Sequence, residues 1–268
     1  MVVGRGRQDG RTTTGIPGLD RMLKGGYPPG RPYLITGPNG SGRTLMGLQF
    51  LMEGIRHGEP VLLVAVDEPP HEIMENVRAF GWDLSKIHTL DANPGQLAYR
   101  RLGSVQEIKS LQEVRSMQEL GDQRRASAQT EDITMQSIYL RLRRQLETLP
   151  VRRLVIDSMT SIRHFALRAT GEQQTDRTEI QSLLRFLAEK EVTTLITALP
   201  APSHELTPEQ VICRGEVLLR KEWSGPMMKR TIQILRMRGT PHDTEEHTLT
   251  IGGDGIRVED ETPLNAGE

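Results

Sequence analysis

A glycine-rich segment at Gly37–Thr44 constrains the fold more than any other stretch of this chain. It follows an apolar run that predicts a strand and precedes a periodic pattern that predicts a helix. Glycine permits tight turns and leaves main-chain N–H groups accessible, and the start of a helix adds free donors and a positive dipole end. The segment therefore predicts a phosphate-binding loop; a glycine-rich surface turn without a ligand is the alternative.

The binding residues of this predicted loop follow from the same pattern. Main-chain donors and one cationic side chain would surround the phosphates of a nucleotide, and the hydroxyl of Thr44 would ligate the Mg²⁺ ion that the nucleotide carries. The predicted phosphate-binding residues are Asn39, Gly40, Ser41, Gly42, Arg43, Thr44 and Leu45.

The cation of the loop departs from the usual phosphate-loop pattern, which has lysine where this chain has Arg43. Lysine presents a compact ammonium and arginine a wider planar fork, so the two are not interchangeable between phosphate groups. Binding could rest on main-chain donors, whereas hydrolysis depends on charge placed accurately in the transition state. Two outcomes stay open: hydrolysis assisted by Arg43, or a nucleotide-sensing scaffold with little turnover.

Acidic residues follow two further predicted strands. Asp157 ends an apolar run in the Walker B pattern, and we expect it to hold Mg²⁺ together with Thr44. Asp67 and Glu68 follow another apolar run, and we expect Glu68 to polarise the water that attacks the γ-phosphate, with Asp67 assisting. Parallel strands bind ligands at their carboxyl ends, so these acids should lie beside the loop. Alternatively, they cap the helices that follow them.

Apolar runs alternate with helical patterns along most of the chain, which predicts an α/β fold with a mainly parallel sheet and helices on both faces. Short strands near the C-terminus, separated by turns at Trp223–Pro226 and Gly239–His242, predict antiparallel additions to that sheet. The predicted strands are Pro32–Thr36, Val61–Val66, Ile87–Leu90, Leu154–Asp157, Val192–Ala198, Val217–Arg220, Thr231–Met237 and Thr248–Ile251, and the predicted helices are Thr44–His57, His71–Phe80, Ile133–Leu149 and Glu179–Glu189.

The domain predicted at 13–258 contains one segment of a different kind. Three imperfect copies of a six-residue pattern, Ser–apolar–Gln–Glu–apolar plus one residue, occupy 104–121. On a helix each copy would be rotated by about −120° from the last, so no single face could be buried. We interpret about 98–130 as a mobile insertion, with partner binding as the alternative, and we expect flexible tails at 1–12 and 259–268.

Several short motifs together resemble one family of RecA-like P-loop NTPases, the KaiC-type ATPase domains. The resemblance runs from about Thr13 to Val258 and is interrupted by the insertion. The motifs that carry it are Thr14–Asp20, Gly25–Gly30, Phe80–Leu84, Ile156–Ser161 and Ile234–His242.

This resemblance implies a homo-oligomer, a hexameric ring, with ATP bound between neighbouring subunits. One subunit would supply the loop and the acids, and the next would supply Arg236 and Arg238 to the γ-phosphate and Thr240 and His242 near the ribose and base. The family usually has lysine where this chain has Arg236. On the residues alone, Arg236 and Arg238 are an exposed face of an edge strand, since alternate residues share a face.

The same resemblance bears on phosphorylation. KaiC itself has two such domains in tandem, and the second phosphorylates itself at adjacent serine and threonine residues. The corresponding positions here are near Gln210 and Val211, which carry no hydroxyl. We therefore expect an ATPase domain without protein autokinase activity.

The composition of the chain limits the kinds of partner that we expect it to bind. A net charge of −1 argues against a RecA-like DNA motor, because no global field attracts nucleic acid. No apolar run approaches the roughly 18 residues that span a bilayer, and the glycine- and arginine-rich N-terminus lacks the apolar core of a secretory signal, so we expect a cytoplasmic protein without membrane contact. The expected partners are copies of the chain itself and an unidentified regulatory protein.

Overall fold

The computed structural model describes residues 10–92, 135–170, 173–201 and 206–259. For residues 135, 165–170 and 173–176 it describes the backbone only. The predicted insertion at 98–130 and most of the two predicted tails lie outside these residues. Within them, no helix is both long enough and apolar enough to cross a membrane.

Nine strands form one sheet whose order is β3-β2-β4-β5-β1-β6-β7-β8-β9. The strands are β1 (Pro32–Thr36), β2 (Val61–Ala65), β3 (His88–Asp91), β4 (Arg153–Asp157), β5 (Thr193–Ala198), β6 (Gly215–Ser224), β7 (Met227–Met237), β8 (Glu246–Gly252) and β9 (Gly255–Val258). Strands β1 to β6 pair in parallel, and β7 to β9 extend the sheet in antiparallel pairs. The predicted α/β class and the antiparallel C-terminal extension are confirmed.

Helices cover both faces of the parallel strands. They are α1 (Pro17–Met22), α2 (Arg43–Arg56), α3 (Pro70–Asn76), α4 (Met135–Thr148), α5 (Met159–Thr170), α6 (Gln173–Glu189) and α7 (Pro208–Ile212), with short 3₁₀ turns at Arg78–Phe80 and Leu84–Lys86. The first three helices pack on one face, and α4, α5 and α6 pack on the other.

The continuous apolar sequence of β2 follows from this double cover. Successive side chains of a strand point to opposite faces, so Val61, Leu63 and Ala65 join the cluster under α2, while Leu62 and Val64 join the cluster under α4 to α6. All five are buried, as expected for a strand with helices on both sides.

Helix α2 lies unusually close to the sheet because glycines face it. A Cβ added at Gly47 would stand 2.9 Å from Cγ1 of Val155, and one at Gly54 would stand 2.7 Å from Cγ1 of Val61. Both distances are shorter than real Cβ contacts, so a side chain at either position would push the helix away. This close packing fixes the position of the start of α2 relative to the carboxyl ends of the strands.

The hairpin of β6 and β7 is longer than predicted. Trp223 and Ser224, predicted in a turn, lie in β6 opposite Met228 and Met227, and the turn itself is Gly225–Pro226. Both faces of this end of the hairpin are exposed, so its sequence carries no alternation of buried and exposed residues from which strands could be read. Helices α1 and α7 and strand β9 are likewise present without having been predicted, and helix α5 follows Asp157, where a helix was considered without bounds.

Candidate functional site

The glycine-rich segment forms a loop between β1 and α2, in the predicted context. Gly40 and Gly42 have φ angles of +74° and +107°, a region that side chains with a Cβ rarely adopt. A Cβ at Gly37 would stand 2.8 Å from the carbonyl oxygen of Leu219. The chain therefore needs glycine at these three positions to turn back beside β6 and enter α2.

A hydroxyl and a carboxylate meet at the start of α2. Thr44 Oγ1 donates to Asp157 Oδ2 at 2.7 Å, and Thr197 on β5 donates to the other carboxylate oxygen. Asp157 is 6% exposed, and burial raises the pKa of its carboxyl, while the bonds from Thr197 and Thr44 lower it. Hydroxyl and carboxylate oxygens are the ligands that Mg²⁺ accepts, so the predicted pair has the chemistry for that ion.

The two acids after β2 have different surroundings. The main-chain N–H of Asp67 donates to the carbonyl oxygen of Asp157 at 3.3 Å, and its carboxylate accepts a hydrogen bond from Ser158 Oγ at 2.9 Å. Glu68 accepts a hydrogen bond from Asn76 Nδ2 of α3 at 2.9 Å, and both acids are exposed. Asp67 thus lies against Asp157 and Ser158, and Glu68 contacts the helix that follows. Their catalytic roles stay predictions.

Arg43 folds back over the loop. Its Nη2 donates to Asn39 Oδ1 at 3.1 Å. Among the described residues, its buried Nη1 and the buried hydroxyl of Ser41 find no hydrogen-bond partner. Burial lowers the pKa of Arg43, and the nearby carboxylates of Asp157 and Asp67 act in the opposite direction. Unpaired buried donors are costly, and an anionic oxygen in the loop would satisfy them.

The residues predicted to act on a neighbouring subunit lie far from this loop in their own chain. Arg236 lies in the last part of β7, and Arg238, Thr240 and His242 follow that strand. Strand β7 runs antiparallel to β6 and so ends beside the start of β1 and β6. Arg236 donates to the carbonyl oxygen of Gln210, Arg238 donates to that of Val211 at 2.8 Å, and His242 Nδ1 lies 3.0 Å from the carbonyl oxygen of Thr240.

A cavity of about 230 Å³ opens beside Arg238. Four arginines line it, and its other described lining residues are uncharged. We call it the arginine pocket; its lining residues are Arg31, Pro32, Arg185, Ala188, Ile212, Arg214 and Arg238. Like charges so close together repel each other, so an anion would stabilise this arrangement.

Two cations near the loop were not predicted. Lys221 Nζ of β6 donates to the carbonyl oxygen of Asn39 at 3.4 Å, and Arg230 Nε of β7 donates to that of Gly40 at 3.1 Å. The sequence does carry a signal for them, because Lys221 follows Leu219, and Arg230 precedes Ile232, at the two-residue spacing of a shared strand face. The strand predicted at Val217–Arg220 ends one residue before Lys221, so Lys221 was not assigned to a strand.

A mainly parallel sheet with a glycine-rich loop after β1 and an acid at the end of β4 defines a RecA-like P-loop ATPase domain. A sequence profile described as "ATPase: KaiC" matches residues 12–263. The chain therefore belongs to the KaiC ATPase family, and the resemblance drawn from the motifs is confirmed.

Individual relatives agree with this assignment. The circadian clock oscillator protein KaiC of Picosynechococcus sp. is 29% identical over 254 residues, which cover 91% of this chain and 43% of that protein. KaiC of Parathermosynechococcus lividus is 30% identical over 256 residues, which cover 91% of this chain and 41% of that protein. The chain thus spans less than half the length of these curated relatives.

A solved structure matches over nearly the full length of both chains. It is a KaiC-like protein from the hyperthermophilic archaeon Pyrococcus horikoshii OT3, with a TM-score of 0.70 and 25% sequence identity. The alignment covers 93% of this chain and 98% of that one. The predicted RecA-like fold is confirmed, as a single domain of the KaiC type.

Proposed function

We propose that this chain binds Mg²⁺ and ATP in the loop between β1 and α2 and hydrolyses ATP slowly at interfaces between its copies, as a switch for contacts with a regulatory protein. The observation that carries the proposal is the 2.7 Å contact between Thr44 and Asp157. It brings a loop hydroxyl and a buried strand-end carboxylate together at the N-terminus of a helix, where phosphate and its cation both find favourable charge.

Each group at the loop would have a distinct task. Main-chain N–H groups of Asn39–Leu45 would bind the phosphates, and the unpaired Nη1 of Arg43 would donate to one of their oxygens. Thr44 and Asp157 would hold Mg²⁺, which when bound neutralises negative charge on the phosphates. Glu68, with Asp67 beside it, would orient a water molecule and accept its proton.

The arginine pocket supports a site shared between subunits. Arg238 lines this pocket at the end of the sheet opposite its own loop, so it cannot serve the nucleotide of its own chain. The phosphate tail of a nucleotide bound to a neighbouring copy is an anion that these four arginines would attract. We extend this role to Arg236 and place Thr240 and His242 near the ribose and base, in a hexameric ring.

The contact between Arg43 and Asn39 favours a second candidate, a nucleotide sensor with little turnover. One half of the Arg43 fork is already held by the loop, at 3.1 Å from Asn39 Oδ1. Turnover assays of the wild type, Arg43→Lys and Glu68→Gln separate the two candidates. Activity in the wild type that Glu68→Gln abolishes supports the ATPase, and activity that appears only in Arg43→Lys supports the sensor.

Binding itself is tested with Thr44→Val, which removes the hydroxyl and keeps the shape. Even an indirect partner of a bound metal contributes about 10- to 100-fold in affinity, so we expect Thr44→Val to weaken ATP binding in Mg²⁺ at least that much. Calorimetric titration with ATP, in Mg²⁺ and in a chelator, measures the effect. Thr44→Ser, which keeps the hydroxyl, should bind like the wild type; equal affinities for all three proteins would contradict the proposed site.

A further inference from the structure

The register of the β6–β7 hairpin sets two cations side by side above the phosphate loop. Lys221 and Arg230 are directly opposite each other in the antiparallel pair. Leu219 and Ile232, two residues nearer the core on the same face, are buried in the cluster that contains α2. The sheet therefore points both cationic side chains toward the side on which the loop enters α2.

Their contacts place them at the rim of the loop. The two side chains donate to successive carbonyl oxygens, those of Asn39 and Gly40, at 3.4 and 3.1 Å. A Cβ at Gly40 would stand only 2.9 Å from Lys221 Nζ, so the ammonium occupies space that any other residue at position 40 would fill. Among the described residues, these two cations donate to neutral carbonyl oxygens, and neither forms an ion pair.

Arg43 and Lys221 both contact Asn39, but they come from different elements, α2 and β6. In the sheet, β4 with Asp157 lies two strands to one side of β1, and β6 lies next to β1 on the other. The carboxylates of Asp157 and Asp67 act on Arg43, and the fork of Arg43 is held by Asn39. The guanidinium of Arg43 thus lies near the carboxylates of Asp157 and Asp67, whereas Lys221 and Arg230 reach the loop from β6 and β7.

We propose that Lys221, with Arg230 beside it, supplies from β6 the compact ammonium that phosphate loops normally carry at the position of Arg43. When nucleotide binds, its phosphate oxygens replace the carbonyl oxygens of Asn39 and Gly40 as partners of these cations. The inference rests on the proposed nucleotide site and adds to it a binding residue from another element.

The test compares ATP, ADP and AMP binding to the wild type and to Lys221→Met, which keeps the length of the side chain and removes its charge. A hydrogen bond from a charged group to phosphate is strong, so we expect Lys221→Met to lose about 10-fold or more in affinity for ATP and ADP. AMP, with a single phosphate, should lose less. The double variant with Arg43→Lys and Lys221→Met should regain most of the affinity for ATP and ADP that Lys221→Met loses.

Lys229 provides the matched control, since it is an exposed lysine on the same hairpin whose side chain lies on the opposite face from Arg230. Lys229→Met should bind all three nucleotides like the wild type. An unchanged affinity of Lys221→Met for ATP, or an equal loss for all three nucleotides, would overturn the inference while leaving the nucleotide site intact. Absence of ATP binding in the wild type would instead overturn the proposed function together with the inference.

A merely structural role of Lys221 makes a different prediction. If its bond to Asn39 only holds the loop in shape, Lys221→Gln, which can still donate to that carbonyl oxygen, would bind ATP like the wild type. We expect Lys221→Gln to resemble Lys221→Met and to show a weaker dependence of ATP affinity on salt concentration than the wild type, because one cation fewer faces the phosphates. The ATP affinity of Lys221→Gln and its salt dependence are compared with the melting temperature of the variant. A change in folding alone would lower the melting temperature.

Discussion

Asp20 shows how one buried side chain organises the segment that leads to the sheet. Its Oδ1 accepts a hydrogen bond from the main-chain N–H of Thr14 at 2.7 Å. Burial raises the pKa of its carboxyl from 3.8 to about 6, against the lowering effect of the bond from Thr14. The native protein therefore holds a proton at Asp20 over a pH range in which the unfolded chain has released it.

This shift predicts how stability depends on pH. Below about pH 4 the Asp20 carboxyl is protonated in both states, and above about pH 6 it is ionised in both, so its burial costs stability fully only above pH 6. Asp20→Asn keeps an oxygen for Thr14 and cannot ionise. We expect the free energy of unfolding of Asp20→Asn, minus that of the wild type, to increase between pH 4 and pH 6. Above pH 6 this difference should stay constant.

Urea unfolding at several pH values measures this difference. Asp254→Asn is a suitable control, because Asp254 lies in an exposed turn and its pKa is lowered by its bond to Arg257 rather than raised. A constant difference between wild type and Asp20→Asn from pH 4 to pH 7 would contradict the assignment.

Sequence alone could bring together residues whose positions depend on where buried strands end. Thr44 and Asp157 were paired as metal ligands because parallel strands bring their carboxyl ends to one edge, and the structure places them 2.7 Å apart. Lys221 was not predicted because its position depends on how far β6 continues beyond β1, and no burial pattern marks that length. The pairing of Arg43 with Asn39 depends on side-chain conformation, which a sequence pattern does not specify.

At the scale of elements, the seat of α2 on the sheet determines where the loop lies. Alanine favours a helix over glycine by about 0.8–1 kcal/mol, so Gly47→Ala on a free surface would stabilise the protein. Here the added Cβ would stand 2.9 Å from Val155, and overpacking costs about 1–3 kcal/mol. We expect Gly47→Ala to lower the free energy of unfolding by about 1 kcal/mol.

A double-mutant cycle isolates this contact. Val155→Ala removes the methyl groups that the new Cβ would meet, so Gly47→Ala should cost less in that background than in the wild type. Denaturant unfolding of the four proteins gives the coupling. Additive effects of Gly47→Ala and Val155→Ala would show that the helix is not seated on Val155 in this way.

Elements with a two-sided burial pattern were predicted closely, and exposed or short ones were not. Strand β1 has its predicted bounds, Pro32–Thr36, because polar turn residues flank a fully buried run. Helix α1 has six residues and helix α7 five, lengths at which helical periodicity cannot be distinguished from chance. The start of α7 does carry a capping box, Thr207 with Gln210, which could have marked it.

At the scale of the whole molecule, a shared site predicts complementation between inactive subunits. Arg238→Ala would lack the cation offered to a neighbour, and Thr44→Val would lack its own metal site. Each should hydrolyse ATP poorly alone. In a mixture, interfaces that join the loop of Arg238→Ala to the intact Arg238 of Thr44→Val are complete, so we expect part of the turnover to return.

The control carries both substitutions in one chain. Mixed with Arg238→Ala, this double variant offers no intact Arg238, so turnover should stay low. Size-exclusion chromatography with and without ATP follows assembly in the same samples. No recovery in the first mixture, or a monomer under all conditions, would contradict a site built from two copies.

Strand β7 passes near Gly40 at one end and leads into the arginine pocket at the other. At about 3.3 Å per residue, Arg230 and Arg238 lie up to roughly 26 Å apart along it. In the proposed ring, each copy of this strand would touch its own nucleotide with one end and the adjacent nucleotide with the other. Each nucleotide site of the ring would then be linked to the next site through the backbone of this one strand.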